Sequence, residues 1–156
     1  MKIRALGALA AVALTAACAA TPDTSATSGT TGSSSGPMSG SQEDLVASVG
    51  DRVFFALNAS SLQPEGRGTL DRQAAWLGKY PANNVQIAGN CDERGTEEYN
   101  IALGARRASA DRDYLVARGV SAGRISTISF GKDRPTALGS DEGAWQQNRN
   151  AITSVR

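Results

Sequence analysis

From residue 52 onward the chain switches between two hydrophobic periods, and each switch marks an element. Arg52 to Leu57 (RVFFAL) puts Val53, Phe55 and Leu57 on one face, which predicts a half-buried strand. The turn-prone Asn58-Ala59-Ser60-Ser61 follows, and Pro64 suits the first turn of a helix. Leu70, Ala74 and Leu77 then form one apolar stripe at helical spacing, and Pro81 ends a helix running to about Tyr80. Asn84 to Asn90 alternates again, with Val85, Ile87 and Gly89 on one face. Glu97 to Arg118 is the longest helical stretch, closed by Gly119. Arg124 to Gly131 reads as a third strand, Asp141 to Asn148 as a short helix, and Asn150 to Val155 as a last strand. Strands separated by helices predict an α+β domain of βαβ-type units, a small sheet with helices on one face. Alternation assigns a face to each residue but gives no strand order.

The first 42 residues show neither period. Lys2 and Arg4 precede an uncharged apolar run, Ala5 to Ala17, that ends at Cys18. A span needs about 20 apolar residues, so this run reads as a secretory signal peptide. Small residues before Cys18 resemble a bacterial lipobox, with Thr15 where leucine is usual, and make Cys18 the expected lipidated first residue of the mature chain. Sixteen of the 24 residues from Ala19 to Gln42 are Ser, Thr or Gly, a composition expected to act as a flexible tether. The expected division is signal peptide 1–17, lipidated cysteine and tether 18–42, and folded domain 43–156.

Composition narrows the function. Sixteen basic against 15 acidic residues leave a net charge of +1, which argues against a nucleic-acid-binding polyelectrolyte. There is no histidine, so His-based triads, His general bases and most zinc sites are excluded. Cys91 has no histidine to activate it and reads as a small residue beside a pocket rather than a nucleophile. Glu93, Glu97 and Glu98 cluster where a helix dipole favours acids. Arg106 and Arg112 read as surface residues. No enzyme, metal or cofactor is expected.

The chemistry concentrates in Gly89 to Ala108 (GNCDERGTEEYNIALGARRA), a strand-to-helix junction carrying both charges. Asn100, Leu103 and Arg107 share a helix face, Asp92 stands beyond the strand end, and Gly95 permits the turn between them. A guanidinium and a carboxylate brought together there suit a zwitterion. Spacing equally allows Arg107 to pair with Asp111 and Asp92 to act as a cap.

This junction resembles the signature of the OmpA-like peptidoglycan-binding domain family, and its lipoprotein members most closely. The likeness runs from about Arg52 to Arg156 and includes TLDRQAAWLGKYP, RISTISFGKDRPTALGSDEGAW and QNRNA. It implies an OmpA-like sandwich, a mixed sheet with helices on one face, that binds meso-diaminopimelate of peptidoglycan without covalent chemistry. Carried over by motif, Asp92 takes the ammonium and Arg107 the carboxylate. Phe55, Ala56 and Leu57 line the pocket from the strand end, and Arg94, Asn100 and Leu103 complete it. The resemblance further implies outer-membrane anchoring through Cys18, a periplasmic domain, and the Tol-system propeller and stalk proteins as partners in envelope integrity and cell division. Ala56 and Asn58 stand where the family pattern FDxD carries aspartates, Asn90 replaces a frequent histidine, and Asn150 a common arginine. Those changes keep open a second reading, a divergent paralogue acting mainly as a periplasmic protein-interaction module.

Overall fold

The computed structural model describes residues 36–156. The signal peptide, Cys18 and most of the tether lie outside the described residues.

Four helices and four strands follow in the order α1 (Gln42–Ser48), β1 (Arg52–Phe54), α2 (Pro64–Lys79), β2 (Val85–Asn90), α3 (Glu97–Ala117), β3 (Ile125–Gly131), α4 (Glu142–Asn148) and β4 (Asn150–Val155). A 3-10 turn over Ala122–Arg124 leads into β3. The strands form one mixed sheet in the order β1-β4-β2-β3. The β1–β4 and β2–β4 pairs are antiparallel, and β2–β3 is parallel.

Register puts Val53, Ala151, Gly89 and Ser129 in one row across all four strands. Their face carries the core, in which Val53, Val85, Ile87, Ile125 and Ala151 meet Leu45 of α1, Leu70 and Leu77 of α2, and Ala108 and Leu115 of α3. The α+β class, with a small mixed sheet and helices gathered on one face, is therefore as the pattern predicts. Among the described residues the buried core residues fall between 45 and 151, so residues 36–156 hold a core of their own.

Two corrections concern β1 and the chain before it. The strand stops at Phe54, and Leu57 is 52% exposed rather than sharing the buried face of Val53 and Phe55. Helix α1 was not expected. Ser41 caps it by accepting from the Asp44 N–H, Asp44 receives the Trp76 indole N–H at 3.0 Å, and Leu45 is fully buried.

Glycine sets the height of α3 above the sheet. A Cβ on Gly89 would collide with the Gly104 carbonyl, and one on Gly104 with the Ser129 hydroxyl. Bare backbone at both positions lets α3 lie directly on β2 and β3. Arg107, three residues past Gly104, thereby arrives beside the C-terminal end of β2.

Candidate ligand-binding site

Strand β2 ends in Asn90, and the chain then turns through Cys91, Asp92, Glu93, Arg94 and Gly95 into the Thr96 cap of α3. Gly95 takes φ +93, a left-handed conformation that a side chain would strain. The Asn100 side chain fastens this loop by donating to the Arg94 carbonyl at 2.8 Å and the Thr96 carbonyl at 3.1 Å. Lys132 donates to the Gly95 carbonyl at 2.9 Å.

Asp92 is 5% exposed and lies between two guanidinium groups. Arg94 reaches it through Nη2 at 2.6 Å and Nε at 3.1 Å, and its backbone N–H adds a bond at 3.2 Å. Arg149 approaches at 3.4 Å and donates also to Glu142 at 2.8 Å and to the Phe55 carbonyl at 3.2 Å. Burial pushes the Asp92 pKa up, but the bonds and charge of Arg94, joined by Arg149, outweigh it and hold the carboxyl below its ordinary value. Asp92 is thus a buried, ionised carboxylate. Arg94 also stacks on Trp145, with its guanidinium carbon 4.1 Å from the ring centroid, while the Trp145 indole donates to Glu93 at 3.0 Å.

Arg107 is only 1% exposed. Its Nε donates to the Ala59 carbonyl at 2.9 Å, Nη2 to the Ala56 carbonyl at 3.2 Å, and Nη1 to the Asn90 carbonyl at 2.7 Å and the Cys91 sulfur at 3.5 Å. A guanidinium has five N–H groups, so one on Nη2 is left over. Desolvation presses the Arg107 pKa down. The side chain ties the loop after β1 to the end of β2. It makes no direct bond to Asp92. Nor does it pair with Asp111, whose carboxylate oxygens are buried without a partner.

The structure therefore brings Asp92, Arg94, Asn100, Leu103, Arg107 and Phe55 to one end of the domain. Leu103 and Phe55 are buried behind it, at 3% exposure each, while Ala56 and Leu57 are exposed on the loop. Burial raises the Cys91 thiol, and its sulfur, near the Asn100 carbonyl at 3.4 Å, has no base beside it. A cavity of about 310 Å³ is lined by Leu57, Asn58, Arg94, Gly95 and Tyr99, and Arg94 is its link to Asp92. Asn58, on its wall, takes φ +54, the one left-handed residue other than glycine among those described.

Sequence reasoning missed Arg149, Glu142 and Trp145. Arg149 lies within QNRNA, directly before Asn150. Its place directly before the last expected strand was the available signal. Asn150 itself is buried and links Asn90, at 2.8 Å, to Thr136 and the Gln147 carbonyl.

An antiparallel-rich mixed sheet backed by helices, with a charge-lined cavity at one strand–helix junction, defines a small α+β binding domain. The sequence profile of the OmpA family matches residues 54–149. The peptidoglycan-associated lipoprotein of Rhizobium meliloti is 55% identical over 114 residues, covering 73% of this chain and 65% of that protein. Its counterpart in Agrobacterium fabrum is 51% identical over 114 residues, covering 73% and 64%. This chain thus matches just under two thirds of the length of either relative. The crystal structure of the peptidoglycan-associated lipoprotein from Burkholderia pseudomallei superposes with a TM-score of 0.68 at 37% identity, covering 72% of this chain and 100% of that one. The chain belongs to the OmpA family.

Proposed function

We propose that this chain is a non-enzymatic outer-membrane lipoprotein whose domain binds peptidoglycan, holding the outer membrane to the cell wall. The observation that supports it best is Asp92, a carboxylate at 5% exposure held below its ordinary pKa by Arg94, which itself lines an open cavity. Desolvation makes its attraction for a ligand ammonium stronger than at the surface. In this reading the ligand is the meso-diaminopimelate of the stem peptide, a side chain bearing both an ammonium and a carboxylate. Asp92 takes the ammonium. The carboxylate goes to Arg107, whose spare Nη2 N–H and whose bond to the Ala56 carbonyl are the ones a stronger anionic acceptor claims. Arg94, with a side chain 35% exposed, is the cation nearest the cavity, and Asn100 and Leu103 hold the loop and helix in place.

Cys18 carries the lipid anchor in this account, the chain between it and the Gly40–Ser41 lead into α1 forms the tether, and the Tol-system propeller and stalk proteins are the periplasmic partners.

Titration with soluble muropeptides tests the diaminopimelate assignment. A diaminopimelate stem peptide is expected to bind at least about tenfold more tightly than the same peptide with lysine, which keeps the ammonium and lacks the carboxylate. Equal affinity for the two would remove Arg107 from the carboxylate role.

A further inference from the structure

A larger concavity, meeting the first at Leu57, lies along the outer edge of β1. It measures about 770 Å³, with β1 as its floor, the first turns of α2 as one wall and the end of α4 as the other. Its floor has a defined hydrogen-bonding pattern. Thr153 donates its N–H to the Asp51 carbonyl at 2.8 Å, Phe55 donates to the Arg149 carbonyl at 2.8 Å, and Val53 stands opposite Ala151. Asp51, Val53 and Phe55 therefore face β4. The N–H and C=O groups of Arg52 and Phe54 point the other way, into the trough. Among the described residues no loop, cap or side-chain bond engages these four groups.

An exposed strand edge is a template for another strand unless it is blocked, and β1 carries no proline or bulge. Its walls are charged differently at the two ends. Arg52 stands at the start of β1, held only loosely by Asp51 at 3.5 Å. Thr69 of α2 lies over Gly50 and Gly66 over Val53, so α2 runs back along the strand and Glu65 falls toward the far end. Gln63 and Gln147 add uncharged amides there, suited to a peptide backbone.

We propose that this trough binds an extended peptide of a partner protein as an added strand antiparallel to β1, its acidic end at Arg52 and its basic end at Glu65. Two outward N–H and C=O pairs recur at a strand's two-residue interval, roughly 7 Å, which matches a peptide backbone. A polysaccharide offers no such row of alternating amide donors and acceptors. The trough is a separate cavity from the one that Arg94 lines, although Leu57 borders both and the trough is also lined by Phe55, Ala56 and Arg149, the last of which bonds Asp92.

The probe is the blocked peptide acetyl-Lys-Val-Thr-Val-Asp-amide, titrated to about 2 mM into isotope-labelled residues 36–156 and followed by amide NMR. The Arg52 and Phe54 amide signals are expected to shift, with hydrogen exchange slowed at least about tenfold. The charge-reversed peptide, with Asp and Lys exchanged, is expected to bind at least about threefold more weakly. Phe54→Pro removes one outward N–H without touching the bonds to β4 and is expected to abolish binding. A peptide methylated on alternate backbone nitrogens makes the same test on the unaltered protein. Unmoved Arg52 and Phe54 signals, or equal binding of the methylated peptide, would overturn the proposal. So would a muropeptide that moves these two signals when the probe does not, because the trough would then belong to the wall polymer.

Discussion

Arg107 shows how a residue can be legible in sequence while its surroundings are not. Helical spacing put it on one face with Asn100 and Leu103, and all three are buried together at the end of β2. Its bonds go to carbonyls of Ala56, Ala59 and Asn90, atoms that every residue carries and that no side-chain pattern reveals. Arg149 escaped notice for the same kind of reason, since its partner Asp92 is 57 positions away in the chain. Asp111 is the opposite case, a surface-type residue that the fold buries completely with neither oxygen bonded. Burial raises its pKa well above the ordinary carboxyl value. The folded state then holds the proton more tightly than the unfolded chain, so stability falls as pH rises from the unfolded value of about 3.9 toward the higher folded one. Replacing it by alanine removes the unsatisfied group and favours the helix. Asp111→Ala is expected to gain about 1–3 kcal/mol near neutral pH, with the advantage shrinking as pH falls from the raised folded value toward about 4 and levelling off below it. Thermal melts across that range check it, and identical melting temperatures at every pH would refute it.

At the scale of elements, every segment but α1 and β1 was readable, the short α4 included. Helices α2 and α3 and strands β2 and β4 begin and end within a residue of the sequence expectation. Helix α1 has seven residues and buries Leu45 alone, too short a stripe to stand out from the Ser- and Gly-rich stretch before it. Strand β1 looked longer because Phe55 and Leu57 continue its alternation. The chain leaves the sheet after Phe54, and Arg107 draws the following carbonyls toward the end of β2. Strand order was not readable at all, because alternation gives a face and says nothing of neighbours. The contact between α3 and β2 depends on paired glycines, and Gly89→Ala forces those elements apart. A loss of about 2 kcal/mol is expected, visible as a melting temperature lower by several degrees. An unchanged melting temperature would mean that the α3–β2 contact yields without cost.

At the scale of the whole domain, one end of the sheet holds two arginines around a buried carboxylate, and one edge holds a strand whose outer side has no partner among the described residues. The first suits a zwitterion and the second a peptide, so the domain has room to meet a polymer and a protein on adjoining surfaces. None of the described helices is long and apolar enough to cross a membrane. The central claim is that Asp92 makes this domain a wall-binding one. Co-sedimentation of residues 36–156 with purified diaminopimelate-type peptidoglycan tests it most directly, alongside Asp92→Ala with its fold checked by circular dichroism. The unaltered domain is expected to pellet with the polymer, and the variant to lose at least about tenfold in affinity, as removal of a buried charged partner implies. A folded Asp92→Ala domain that pellets as well as the unaltered one, or an unaltered domain that stays in solution, would contradict the account.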